Sequence, residues 1–358
     1  MNKKVLIAIS GGVDSSVSAF LMLQQGYECV CATMKLFNTE DICAINDDKS
    51  CCSLTEIAAA KSVADLLGIP HYVFNFTEDF KEHVIKKFVN EYESGRTPNP
   101  CIDCNRHLKF DKLYNQAKGL GFDYIATGHY ARIEFDDVRN RYILKKAVDP
   151  LKDQSYVLYS LTQEQLAHTI FPLGDLRKSE VREIAAENNF SNAKKSESQD
   201  ICFVPDGDYA KFIKKHTQKA VQPGAFVDDD GKVLGEHRGI IQYTIGQRRG
   251  IGLSFDRPMY ISKKNIAENS VTLSPNDRLF SNELTATDIN LISVDHIGNE
   301  LRVKAKIRYS QKEQDATILP IDDQRLRVIF DEPQRAPAPG QAIVFYNGEE
   351  VVGGGCIE

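Results

Sequence analysis

The first 200 residues alternate short apolar runs with stretches of helical periodicity, and that alternation constrains the fold more than any other feature of the chain. The runs Val5–Ile9, Val30–Met34, Tyr72–Asn75 and Tyr124–Ala126 have strand length, and the patterns Val17–Leu23 and Leu54–Leu67 between them read as helices. Strands and helices alternating in this way predict a doubly wound α/β domain built on a parallel sheet. Gly68-Ile69-Pro70 closes one helix and opens the next strand, with glycine as the cap and proline as the barrier to further helix. Gly119-Leu120-Gly121 repeats the device.

After about Pro205 the pattern changes. A short helix is expected around Tyr209–Lys215, followed by Pro223-Gly224 and the Gly/Arg-rich stretch His237–Gly252. From about Ser274 the period becomes two, as in Arg302–Tyr309, where Val303, Ala305 and Ile307 share one face; turn signals at Glu332-Pro333, Pro337–Gly340 and Asn347-Gly348 make the tail an antiparallel β-barrel or sandwich. The expected organisation is a nucleotide-binding domain over 1–205, a small central domain over 206–273 and a C-terminal β domain over 274–358. A length of 358 residues accommodates this, and 42% hydrophobic with 26% charged residues excludes a disordered or fibrous chain. No stretch approaches the ~20 apolar residues of a membrane span, and the N-terminal apolar run is too short for a signal-peptide core. Nine cysteines, odd in number and irregularly spaced, do not form a disulfide framework, so a reducing cytoplasm is the expected setting. Net charge of −6 argues against indiscriminate nucleic-acid binding while leaving room for a local basic surface.

Ser10-Gly11-Gly12-Val13-Asp14-Ser15-Ser16 lies directly between the first strand and the first helix. Backbone N–H groups and the positive helix end would face one spot there, suited to a polyphosphate, with hydroxyls of Ser10, Ser15 and Ser16 as further donors and Asp14 as a candidate magnesium ligand. No lysine follows the glycines, so the loop is not of Walker type. It is similar to the PP-loop of ATP pyrophosphatases, which cleave between the α and β phosphates. Two cysteines stand out as well. Cys104, expected just before a helix in Thr97-Pro98-Asn99-Pro100-Cys101-Ile102-Asp103-Cys104, has Arg106 and Lys109 nearby to favour its thiolate. Cys202 follows Ser198-Gln199-Asp200-Ile201 in a polar, strand-like setting at the end of the first domain. Cys29, Cys31 and Cys356 read as small buried hydrophobes.

Five motifs together (SGGVDSS, NPCIDCNRHLKF, Ala126-Thr127-Gly128-His129-Tyr130, Lys152-Asp153-Gln154-Ser155-Tyr156 and SQDICF) resemble, over essentially the whole chain, the bacterial tRNA-specific 2-thiouridylases of the MnmA type. The resemblance implies sulfur insertion at the 2-position of the wobble uridine in lysine, glutamate and glutamine tRNAs. ATP would adenylate the uracil 2-oxygen, Cys202 would carry a persulfide supplied by a cysteine desulfurase or sulfur-relay protein, and Cys104 would be the partner nucleophile that frees the sulfur, leaving a Cys104–Cys202 disulfide. It also implies an ATP site from Ala8, Ile9, Ser10, Gly11, Gly12, Val13, Asp14, Ser15, Met34 and Gly128. The resemblance further implies tRNA-facing residues at Asn99, Pro100, Cys101, His129, Lys152, Asp153, Gln154, Arg308, Tyr309 and Gln341. Some relatives have aspartate at the Cys101 position, and the cysteine here departs from that pattern.

Several alternatives remain open on sequence grounds. Lys152-Asp153-Gln154 could be an ordinary charged turn and Arg308-Tyr309 an exposed strand end. Cys101, Cys104 and Cys202 could hold a [4Fe–4S] cluster; Cys51-Cys52, being adjacent, make a poor zinc chelate. A PP-loop ligase or amidotransferase would leave Cys104 and Cys202 without a role, and a tRNA-binding module without ATP hydrolysis would leave the intact loop unexplained.

Overall fold

A computed structural model of the chain describes residues 3–38, 54–193 and 201–358. Cys51, Cys52 and the Ser198-Gln199-Asp200 part of the second cysteine motif lie outside the described residues. The chain divides into two compact units, one formed by Met1–Val84, Pro100–Gly207 and Gly348–Val352, the other by Ile85–Asn99, Asp208–Asn347 and Gly353–Glu358.

In the first unit the expected alternation is present as β1 (Lys4–Ala8), α1 (Val13–Gln24), β2 (Glu28–Lys35), α2 (Leu54–Leu67), β3 (His71–Asn75) and β4 (Tyr124–Thr127). A hairpin of β5 (Ala131–Asp136) and β6 (Arg141–Lys146), a two-residue strand β7 (Thr169–Ile170) and helix α3 (Lys178–Glu187) follow. The sheet order is β3-β2-β1-β4-β7, with every neighbouring pair parallel. β1 is central, which is why Val5, Leu6 and Ile7 are fully buried and read as an unbroken apolar run rather than an alternating one. Val17, Ala19 and Met22 of α1 and Val181 and Ala185 of α3 pack against the same core. Gly68 takes a left-handed φ of +67° at the end of α2, the conformation for which glycine is favoured. The register aligns Ala8, the last residue of β1, with Thr127, the last of β4, and with Ala32 of β2, which continues to Lys35, so the loops that follow these parallel strands share one edge. At such an edge of a parallel sheet, ligands bind.

The second unit contains α4 (Tyr209–His216) and a four-stranded sheet of order β10 (Tyr260–Asn265), β11 (Ser270–Ser274), β8 (Gly224–Val227), β9 (Val233–His237). Phe226, Tyr243, Ile261, Val271 and Leu273 form its core. β12 (Phe280–Leu291), β15 (Leu326–Arg335), β14 (Gln314–Pro320), β13 (Leu301–Lys306), β16 (Ala342–Asn347) and β17 (Glu350–Ile357) are neighbours in that order, and pairing of β17 back onto β12 closes the ring into a barrel. Val303 and Ala305 face the barrel interior, as the period-two pattern requires. Closure removes the exposed edges that an open sheet of this size would present.

Candidate active site

Between β1 and α1 the chain turns through Gly11 at a φ of +76°. A Cβ there would stand 2.5 Å from the Glu56 backbone oxygen, so glycine is demanded by conformation and by space together. The serines set the turn: Ser10 N–H donates to Ser15 Oγ (3.1 Å), Ser15 Oγ donates to the Gly12 carbonyl (3.1 Å), and Ser16 Oγ donates to the same carbonyl (2.9 Å). Gly12, the N-cap residue of α1, offers no side-chain acceptor to the first-turn N–H groups, which suits a helix start that receives an anion. Gly128, just past β4, abuts this loop; a Cβ on it would lie 2.9 Å from Ser15 N and 3.0 Å from the Asp14 carbonyl carbon. Ala8, Ile9, residues 10–15, Met34 and Gly128 are therefore carried by the ends of three adjacent strands and the loops after them.

Asp14 does not present a free carboxylate to a magnesium ion: Lys178 Nζ donates to both of its oxygens (2.7 and 2.8 Å) and Tyr130 OH donates to Oδ1 (2.7 Å). The charge that would attract a divalent cation is already matched, so the arrangement does not fit a metal on Asp14. Lys178, the first residue of α3, has its side chain only 10% exposed and its backbone N–H donates to Asp149. Beyond the far end of α3, Asn192 Nδ2 donates to the Gly11 carbonyl (3.0 Å) and to Ser16 Oγ (2.9 Å). The residues flanking α3 thus hold the glycine loop at two points, and neither Lys178 nor Asn192 was marked by any motif in the sequence. The loop residue Gln154 supports the site from behind, accepting from Tyr130 N–H and donating its own N–H to the Tyr130 carbonyl. Asp153 accepts from Ala147 and Ser155, which fixes that loop beside Lys152.

Cys104 lies deeper than its sequence context suggests. Pro100–Asp103 already forms a helical turn, and it runs into wide π-type turns over Cys104–Lys112, so Cys104 sits inside the helix rather than before it and is buried. Proline at the first helical position causes the early start, since its fixed φ suits a helix and its missing N–H costs nothing there. Cys101, one turn earlier, is exposed. Wide π-type turns are rare in helices and cluster at functional sites. On the same helix, Lys109 Nζ approaches His129 Nε2 at 3.4 Å, while His129 Nδ1 meets Thr127 Oγ1 at 2.7 Å. An ammonium can only donate, which assigns the lone pair to Nε2 and the ring proton to Nδ1. Burial against Phe110 and Phe171, reinforced by Lys109, holds the imidazole pKa well below its ordinary value, so His129 is neutral at pH 7.

Cys202 is half-buried in a turn, closed by Val204 N–H on the Ile201 carbonyl (2.9 Å), rather than in the expected strand. The turn is imposed by its neighbour: Phe203 is buried edge-on against Phe80 at 5.6 Å. Phe80 ends the short helix Thr77–Phe80, whose Asp79 pairs with Lys112 (2.8 Å) at the end of the Cys104 helix, and His83 stacks on His107 just beyond. Both cysteine-bearing segments are consequently docked on residues 77–83, and neither cysteine is in a disulfide. Among the described residues no group of three histidine, cysteine or carboxylate side chains gathers to hold a metal ion. Cys29 and Cys31 are buried as expected, and burial pushes their thiols up to about 11 and about 12. Cys356 departs from the apolar reading, because its sulfur accepts from Arg96 Nη2 at 3.3 Å.

In the second unit, Gln341 Nε2 donates to the Thr97 carbonyl (2.8 Å), two residues from Asn99. Tyr309 is 44% exposed, with Lys306 Nζ 6.0 Å from its ring centre, and Arg308 Nη2 is bonded to the Ala336 carbonyl.

A glycine loop at the edge of a parallel sheet, clamped on a helix start, defines a nucleotide-binding α/β domain. Residues 3–206 match a family described as "tRNA methyl transferase HUP domain", residues 210–275 a "tRNA methyl transferase PRC-barrel domain" and residues 281–357 an "Aminomethyltransferase beta-barrel domain". The tRNA-specific 2-thiouridylase MnmA of Clostridioides difficile is 52% identical over 100% of this chain and 99% of its own length. The protein of the same name from Acetivibrio thermocellus is 52% identical over 99% of both chains. The chain belongs to the MnmA family of tRNA-specific 2-thiouridylases. Among the described residues no helix is long and apolar enough to cross a membrane.

Proposed function

We propose that this protein is a tRNA uridine 2-sulfurtransferase that consumes ATP and delivers sulfur through Cys202 and Cys104. The observation that carries the reading is the docking of the two cysteine segments on residues 77–83, in the domain that also holds the glycine loop. ATP supplies an adenylyl group to the uracil 2-oxygen, the bond between its α and β phosphates breaking with release of pyrophosphate, and that oxygen becomes part of a good leaving group. The protein's part in that step is to bind and orient. Loop N–H groups, the start of α1 and the serine hydroxyls hold phosphate, while Lys178 and Tyr130 keep Asp14 fixed.

Sulfur transfer then balances as follows. Cys202 carries a persulfide from a desulfurase or relay protein. The Cys104 thiolate attacks Cys202 Sγ, the Cys104–Cys202 bond forms, and the terminal sulfur leaves as hydrosulfide. Hydrosulfide adds to C2 and AMP departs with the former 2-oxygen; an external thiol reductant returns two electrons to the disulfide. A bridge needs Cα atoms within about 7 Å, so the turn at Cys202 and the helix at Cys104 must meet at that moment. The target uridine has to leave the anticodon stack, and the Asn99, Pro100 and Cys101 segment with His129 is assigned to receive it. As a neutral, buried imidazole, His129 suits contact with an uncharged base. Lysine, glutamate and glutamine tRNAs are the assigned substrates, with Lys152, Asp153, Gln154, Arg308, Tyr309 and Gln341 on the tRNA side. Methyl transfer, which the family descriptions mention, would give Cys104 and Cys202 no task.

The test is mass-spectrometric detection of 2-thiouridine in unmodified tRNA after incubation with ATP and a persulfide donor. Cys104→Ser and Cys202→Ser each abolish thiolation while ATP binding persists. Retention of thiolation in either variant defeats the paired role.

A further inference from the structure

We propose that Cys101 is the resolving thiol of the sulfur transfer: once sulfur has been delivered, it attacks the Cys104–Cys202 disulfide and moves the oxidised pair to Cys101 and Cys104. This rests on the function proposed above and adds a step to it. That function leaves a disulfide between a cysteine that is 8% exposed and one that is half-buried, and two electrons have to reach it from an external thiol reductant. Exchange requires a thiolate to approach one of the two sulfurs, and access decides which. Cys101 stands beside the buried one. Cys101-Ile102-Asp103-Cys104 is a C-x-x-C sequence, and the fold places its first cysteine, exposed, in the helical turn Pro100–Asp103 and its second, buried, at the start of the turns over Cys104–Lys112. An outer thiol open to solvent and an inner thiol shielded from it are the two halves of a dithiol relay.

Helical geometry makes this pair competent. Residues three apart on a helix share a face with Cα atoms about 5 Å apart, inside the window that a disulfide accepts. Their Cβ atoms begin about 5–6 Å apart and have to close to about 4 Å, a shift of about 1–2 Å. Cys101 is the second residue of its helix. A first turn yields to such a shift more readily than a helix interior, because the N–H groups there make no intrahelical bonds. The exchange balances without a further reagent: the Cys101 thiolate attacks Cys104 Sγ, the Cys104–Cys202 bond breaks, the Cys101–Cys104 bond forms, and Cys202 leaves as a thiolate, ready for the next persulfide. The external thiol reductant then attacks Cys101 Sγ, the exposed sulfur, and through a mixed disulfide restores both thiols. Aspartate at position 101 has no sulfur for this step, so a protein carrying it has to be reduced at the Cys104–Cys202 bond itself.

The experiment follows a single turnover of the full chain. Protein loaded with persulfide and freed of excess donor is mixed with ATP and unmodified, transcribed tRNA in the absence of reductant, quenched with iodoacetamide, digested with trypsin and mapped by mass spectrometry. Trypsin releases residues 97–106 as one peptide that carries both Cys101 and Cys104. As 2-thiouridine appears, that peptide is expected to become refractory to alkylation and lighter by two hydrogens, while Cys202 becomes alkylated. In Cys101→Ser and Cys101→Asp, at an exposed position, the cross-linked Cys104–Cys202 peptides accumulate instead, and a limiting dithiol restores the thiols about tenfold more slowly than in the wild type. Wild-type protein that forms 2-thiouridine and ends as a stable Cys104–Cys202 cross-link with Cys101 alkylated overturns the proposal, as does equal recovery in the wild type and both variants. Wild-type protein that forms neither 2-thiouridine nor any disulfide is a different result, and it removes the function proposed above.

Discussion

Replacing Lys178 by methionine tests the charge pair that organises the nucleotide loop. Methionine keeps much of the apolar stem and removes the ammonium, and with it both the pairing with Asp14 and the approach of Nζ to the Tyr130 ring (5.8 Å). Exposed ion pairs contribute about 0.2–1 kcal/mol, whereas breaking a buried pair costs about 3–5 kcal/mol. This pair lies between those limits, because the lysine side chain is 10% exposed and the aspartate 29%. Lys178→Met leaves behind the more exposed partner, which still receives Tyr130 OH, and should cost about 1–2 kcal/mol. Asp14→Ala strands the more deeply buried ammonium and should cost about 3 kcal/mol. At about 2–4 °C per kcal/mol for a unit of this size, the melting transition falls by roughly 2–8 °C for the lysine variant and further for the aspartate variant. Calorimetry of both singles and of the double variant closes the cycle: the double should lose little more than Asp14→Ala alone, a coupling of about 1 kcal/mol or more. Additive losses, or a lysine variant costlier than the aspartate one, refute the argument.

Two further outcomes follow from the same site. Gly128→Ala pushes a methyl group into the backbone of Asp14 and Ser15, and should destabilise the unit by about 1–3 kcal/mol. It should also weaken ATP binding at least about tenfold by calorimetric titration, and normal affinity would show that the close approach has no function. His129 has its folded pKa held below the ordinary value of 6.5. Below about pH 6.5 the unfolded chain takes up a proton that the folded chain refuses, so this histidine makes stability fall with decreasing pH, by up to about 1.4 kcal/mol per unit. His129→Gln should flatten the acid limb of a urea-unfolding series between pH 6.5 and 5, and an unchanged limb would place the proton uptake elsewhere.

Short-range pattern made much of the first unit legible. Strands at Lys4–Ala8 and Tyr124–Thr127 and the helix over Leu54–Leu67 follow from run length, periodicity and the Gly68 stop, because in those segments the chain's local preference and its final burial agree. The glycine loop was legible for the same reason: a strand, two glycines and a helix start specify the turn between them. Cys104 was placed one turn too far out because Arg106 and Lys109 read as the flanks of an exposed helix start, whereas Pro100 had already begun the helix and Lys109 turns toward His129. Phe203, not the polar string before it, determines the conformation at Cys202.

The unread contacts have one property in common. Lys178 reaches Asp14 across 164 positions, Asn192 reaches Gly11 across 181 and Gln341 reaches Thr97 across 244. In each, a polar side chain whose local sequence prescribes solvent is instead satisfied by a partner that only the completed fold supplies. A lysine at a helix start reads as a surface charge, and nothing within a helical turn of it names Asp14. Burying such a group without its partner costs more than the pair returns, so it persists only where the fold delivers both halves.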